Sequence, residues 1–163
     1  MKTLILGLGN PILSDDGIGL RVAEELEGKL NQPNVTVMEG GVTGLDFLEL
    51  LAGYDRAIII DSIKTRDGEP GQIYRLRPEV FNTTQHASTP HDVNFATALE
   101  LGRKLGLNLP RQIVIFAIEV KDVNTYSESF TPQVEAAVPA CVEMIIEELE
   151  EESLVSKVSE PFD

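Results

Sequence analysis

A single cysteine, Cys141, leaves the chain with no intrachain disulfide and no cage of thiolates around a metal. Basic residues are scarce as well. Thirteen Lys and Arg stand against 27 Asp and Glu, and the formal net charge of −14 repels polyphosphates. Nucleic acid is therefore not an expected partner. No apolar run is long enough to span a bilayer, and Met1-Lys2-Thr3 leads straight into a strand and not into a signal peptide. A cytoplasmic location away from membranes is the expectation. No serine sits in a Gly-x-Ser-x-Gly turn, and Cys141 falls on an apolar stripe, so a covalent acyl-enzyme has little to stand on. Histidine is nearly absent too, with only His86 and His91, both in one short region.

What is present is a run of alternating strands and helices. At 163 residues and 42% hydrophobic content the chain fits one domain, residues 1–152, followed by a loosely held tail at 153–163. Leu4–Leu6, Val35–Met38, Ala57–Ile60 and Ile113–Ile118 read as buried strands. Gln72–Arg77 alternates and suits an edge strand that can run antiparallel. Ile18, Val22, Leu26 and Leu30 stripe a helix over Gly17–Leu30, with Ser14 or Asp15 as its cap. Leu45, Leu48 and Leu51 suggest a short second helix. Glu79–Pro90 reads as an ordered loop into a helix from about His91 or Asp92 to Leu105. Thr131-Pro132 caps a closing helix that Pro139 should kink. The expected fold is a three-layer α/β/α sandwich of the phosphorylase/hydrolase-like type, with a mostly parallel twisted sheet of about five strands.

The stretch Leu4-Ile-Leu-Gly-Leu-Gly-Asn-Pro-Ile-Leu-Ser-Asp-Asp-Gly-Ile-Gly19 is where chemistry concentrates. Gly7-Leu8-Gly9 after a strand begins like a dinucleotide fingerprint, but Ile12 stands where the third glycine belongs. Pro11 removes an amide, and two aspartates at the helix start would repel a pyrophosphate. Nucleotide binding is excluded on those grounds. Asp16 and Asp61 each close a strand, and the loop before the third long helix can bring His86 or His91 to the same edge. Two carboxylates and one imidazole make an open site for a first-row divalent ion. Gly40-Gly41 marks a second strand end where the backbone turns or is closely approached.

These motifs, in order, resemble the maturation endopeptidases of nickel-iron hydrogenases. The resemblance is carried by Leu6-Gly-Leu-Gly-Asn10, Asp15-Asp16-Gly17-Ile-Gly19, Glu39-Gly40-Gly41, Ile60-Asp61, Thr89-Pro90-His91 and Phe130–Glu135. It implies an aspartyl-type endopeptidase that removes a carboxyl-terminal extension from the precursor of a hydrogenase large subunit after nickel insertion. It also implies a catalytic and metal-contacting set of Asp16, Asp61 and His91, with Gly40 and Gly41 lining the groove for the substrate's tail. The nickel would be the substrate's and not a resident cofactor, and the enzyme is expected to act as a monomer. Some relatives carry glutamate at the first acidic position, so Asp16 has a shorter reach. Leu8-Gly9-Asn10-Pro11 also opens peptidyl-tRNA hydrolases, but Ser14-Asp15-Asp16-Gly17 replaces the histidine and asparagine found there. A non-catalytic nickel-sensing module is the third alternative.

Overall fold

The computed structural model describes residues 1–40, 46–84 and 94–159. Five strands, β1 (Thr3–Leu8), β2 (Val35–Gly40), β3 (Arg56–Ile63), β4 (Ile73–Leu76) and β5 (Gln112–Glu119), form one sheet in the order β2-β1-β3-β5-β4. All neighbours are parallel except β4, which runs antiparallel to β5 at the edge. The alternating segment near Gln72–Arg77 is therefore the edge strand that its pattern suggested.

Both faces of the sheet are covered, which explains why β1 and β3 are buried along their whole length. On one face, α1 (Ile18–Lys29), α5 (Pro132–Ala136) and α6 (Val138–Ser159) pack Ile18, Val22, Leu26, Val134, Cys141 and Ile145 against Ile5, Ile58, Ile60 and Phe116. On the other, α2 (Asp46–Leu51), α3 (Pro78–Thr84) and α4 (Phe95–Lys104) pack against Leu4, Leu6, Ile59 and Ile115. Phe95 is the centre of that layer, with Phe47 and Phe81 edge-on to it at 5.3 and 5.2 Å between ring centroids. The three-layer α/β/α expectation thus holds.

Local expectations differ from the structure in four places. Pro78 does not merely end the edge strand; it starts α3, a turn of helix hidden in polar sequence and anchored by buried Phe81. α4 begins at Phe95, capped by Asn94, whose Oδ1 accepts the Thr97 N–H at 3.1 Å. The closing helix is split at Ala137 into α5 and α6, with Pro139 in the first turn of the second, where its missing N–H costs nothing. That second helix runs to Ser159, past Glu152, after which the tail was expected to begin. Across the edge strand, Arg75 holds Glu148 of α6 through two contacts, Nε–Oε2 at 3.0 Å and Nη2–Oε1 at 2.5 Å.

α1 approaches the sheet closely. A Cβ on Gly19 would collide with the carbonyl oxygens of Leu8 and Ile60, and one on Gly7 would meet Gly19's own carbonyl. Glycine at both positions lets the helix lie on the carboxyl ends of β1 and β3.

Candidate functional site

The chain passes from β1 to β2 on one side of the sheet and to β3 on the other, so the connections diverge between β1 and β3. In an open parallel sheet the crevice outside such a divergence is where ligands bind. Asp16 lies in a turn of 3₁₀ helix (Ser14–Gly17) that follows β1, and Asp61 lies on β3 just past Ile60, whose partner is Gly7 of β1. Both acids therefore sit at the divergence, and both are buried, at 0% and 2% exposure.

Asp16 is gripped from the loop after β1 and from β3. Its Oδ2 accepts the Asn10 N–H at 2.9 Å, and its Oδ1 accepts the Ser62 hydroxyl at 3.2 Å. The Ser62 N–H in turn donates to Asp61 Oδ1 at 2.8 Å. Side chains alternate along β3, which puts Ser62 on the α1 face with Ile58 and Ile60, and Asp61 on the opposite face with Ile59 and Ile63. One serine thus joins two carboxylates across the end of the strand.

The loop between β1 and α1 is built to hold this arrangement. Gly9 has φ +151°, and a Cβ there would strike the Asp16 carbonyl, so the chain can fold back tightly only with glycine. Ser14 occupies the left-handed region at φ 48°, and its N–H and hydroxyl donate to the Ser127 and Ser129 carbonyls at 2.8 and 2.9 Å. The expectation that Ser14 or Asp15 caps the first helix is not met; α1 starts after Gly17 without a side-chain cap. Asp15 is buried and turned toward the far end of the chain. Its carboxylate accepts the N–H groups of Lys121, Asp122 and Thr131 and the Thr131 hydroxyl, at 2.7 to 3.0 Å. Thr131, the expected cap of the closing helix, spends its hydroxyl on Asp15.

Another buried acid, Glu119, ends β5 opposite Ile63 and ties down the loop that precedes β4. It accepts the Thr65 N–H and hydroxyl at 2.8 and 2.6 Å and the Tyr74 hydroxyl at 3.0 Å. Burial, followed by the hydrogen bond and charge of Glu119, pushes the Tyr74 phenol up, while its bond with Thr65 opposes the shift. Gly68 is required beside this carboxylate, since a Cβ there would overlap Glu119 Oε1.

Of the residues singled out in the sequence, Asp16, Asp61 and Gly40 can be located. Gly40 ends β2 beside Leu8, and a Cβ on it would press on Leu50 Cδ1 at 3.2 Å. Gly41, His86 and His91 lie outside the described residues. Among the described residues no three His, Cys, Asp or Glu side chains are grouped to hold a metal. The two carboxylates are hard oxygen donors that suit a first-row divalent ion only with further ligands. α3 and α4 pack on the face toward which Asp61 points, and the segment that joins them in sequence carries both histidines. Ser62, Asn10 and Glu119 went unread. A polar residue inside the apolar run Ile58–Ile63 was the available signal, because a buried hydroxyl must find a partner.

Residues 20–148 match the family described as HycI, hydrogenase maturation protease. The chain belongs to the hydrogenase maturation proteases. It is 31% identical over 153 residues to the hydrogenase 2 maturation protease of Escherichia coli K12, covering 93% of this chain and 92% of that one. To the hydrogenase expression/formation protein HupD of Bradyrhizobium diazoefficiens it is 28% identical, over 99% of this chain and 85% of the relative. Its fold matches the hydrogenase maturating endopeptidase HybD from E. coli with a TM-score of 0.80 and 29% identity, over 93% and 94% of the two chains. HycI from Thermococcus kodakarensis shares the fold at a TM-score of 0.69 and 22% identity, over 91% and 92%. As a hydrogenase maturation protease the chain is a peptidase, which sets aside the peptidyl-tRNA hydrolase and non-catalytic alternatives. No helix among the described residues is long and apolar enough to cross a membrane.

Proposed function

We propose that this hydrogenase maturation protease cuts one peptide bond near the carboxyl terminus of a nickel-loaded hydrogenase large-subunit precursor, acting as a monomer. Asp16, Asp61 and His91 contact the nickel carried by the substrate, and the main chain at Gly40-Gly41 lines the groove for its tail. The observation that supports this most is the joining of two buried carboxylates through Ser62 at the divergence of β1 and β3. Elsewhere in the described chain, Asp15 and Glu119 are consumed by fastening loops. Asp16 and Asp61 stand at the crevice itself.

The chain's own residues then do three things. They bind the substrate's metal through fixed negative charge, align the scissile bond against that anchor, and shield the site with the loops that Asp15 and Glu119 hold. Proximity of this kind converts recognition of a completed metal centre into cleavage of a particular bond. Water is activated next to the anchor, by the ion acting as Lewis acid or by an acidic side chain.

Nickel-loaded and nickel-free precursor, incubated in parallel with the purified enzyme, test the reading. Cleavage of the loaded form alone is expected, and Asp16→Asn and Asp61→Asn should each abolish it in a folded protein. Equal cleavage of both precursor forms would overturn metal recognition.

A further inference from the structure

Ser62 is 1% exposed on a central strand and hydrogen-bonds both of the proposed metal-contacting acids. We propose that Ser62 is the positioning residue that sets how Asp16 and Asp61 face the incoming metal; this rests on the reading that those carboxylates contact the substrate's nickel.

The backbone at Ser62 cannot shift freely, because it is in register with Ile118 of β5 in the middle of the sheet. Its N–H is thereby a fixed donor to Asp61. Its hydroxyl reaches out from the same rigid point to Asp16 Oδ1, while Asn10 N–H fixes Oδ2 from the loop after β1. With a donor on each oxygen, rotation of the Asp16 carboxylate about its terminal bond is suppressed. A ligand needs to be held to within about half an ångström of its productive position, and groups behind the ligands supply that constraint. The substrate's metal then meets an acid that is already aimed, and no ordering cost is charged against binding.

Ser62→Ala removes the hydroxyl and keeps the N–H to Asp61; Ser62→Thr restores a hydroxyl on a side chain that suits a strand. Steady-state processing of nickel-loaded precursor should show KM raised about tenfold in Ser62→Ala, with kcat little changed, and near wild type in Ser62→Thr. A serine that only helped the protein fold would, when lost, lower the amount of active enzyme and so the apparent kcat, leaving KM alone. Unchanged KM in a folded Ser62→Ala protein, or a raised KM that Ser62→Thr does not recover, overturns the proposal. Should Ser62→Ala fail to fold, Ser62→Cys carries the same test, since a thiol is a weak donor. Asp16→Asn and Asp61→Asn are assayed alongside. If both process normally, the reading of the site itself fails; if both are inactive while Ser62→Ala keeps its KM, only the role of Ser62 does.

Discussion

Asp15 holds Thr131 with both oxygens: Oδ1 accepts the Thr131 N–H at 2.7 Å and Oδ2 accepts its hydroxyl at 2.8 Å, across a sequence separation of 116 residues. The same Oδ2 also takes the N–H groups of Lys121 and Asp122, each at 3.0 Å. One buried carboxylate therefore fastens the loop after β1 to both ends of the connection between β5 and α5. Asp15→Ala leaves those amides without their acceptor, and a loss of about 3 kcal/mol is expected in urea unfolding. Thr131→Val, which removes one hydroxyl, should cost about 1 kcal/mol. The double variant should lose less than the sum, because the two residues share a bond.

Gly19 tests how tightly α1 must lie on the sheet. Its Cβ would be driven into the carbonyls of Leu8 and Ile60, which belong to β1 and β3 beside the site. Backbone cannot yield there as a side chain can. Gly19→Ala should therefore destabilise the protein by at least about 2 kcal/mol, despite the better helix propensity of alanine. Gly28→Ala, in the same helix with nothing near the added atom, is the control and should be neutral or stabilising.

These contrasts show what could be read in advance. Leu4–Leu6, Ala57–Ile60 and Ile113–Ile118 were legible as strands because burial on both faces makes them continuously apolar, and Gln72–Arg77 because an edge strand keeps its alternation. Asp61 was legible because it interrupts such a run, and Asp16 because it opens the helix that follows one. Helix α3 was not, since its buried aromatic anchor, Phe81, sets no period in polar surroundings. The work of Asp15 was hidden for another reason. A carboxylate that begins a helix looks like a cap until its partners, more than a hundred residues away, are seen beside it. Thr131 misled in the same way from the other side. Nothing in local spacing reports a hydrogen bond of that range.

Cys141 packs among Val138, Val142 and Ile145 on the buried face of α6, and burial pushes its thiol up from 9.0 to about 12. Thiol reagents should leave the native enzyme active, and Cys141→Ala should retain processing while losing about 1 kcal/mol of stability. The raised value also sets a pH dependence. Because the folded thiol keeps its proton above pH 9.0 where the unfolded one loses it, this stabilisation is complete below 9.0 and falls as pH rises toward 12. Wild type should lose about 1.4 kcal/mol relative to Cys141→Ala from pH 8 to pH 10, enough to close the gap between them and reverse its sign, read by urea unfolding at each pH. A constant gap would mean that the thiol ionises equally in both states.

The two histidines allow the proposed ligand set to be tested against itself. His91 follows Thr89-Pro90, where proline fixes the backbone entering it, whereas His86 stands among Thr83, Thr84 and Gln85 with no such neighbour. A ligand must be aimed from a constrained backbone, so the Thr-Pro-His segment is the better source of an imidazole for the Asp16–Asp61 edge. His91→Ala should abolish precursor processing with the unfolding midpoint unchanged, and His86→Ala should reduce it little. Both variants are read by the shift of the large subunit on a denaturing gel beside circular dichroism. Inactivity of His86→Ala with tolerance of His91→Ala would move the third ligand to the other histidine, while leaving the paired acids where β1 and β3 diverge.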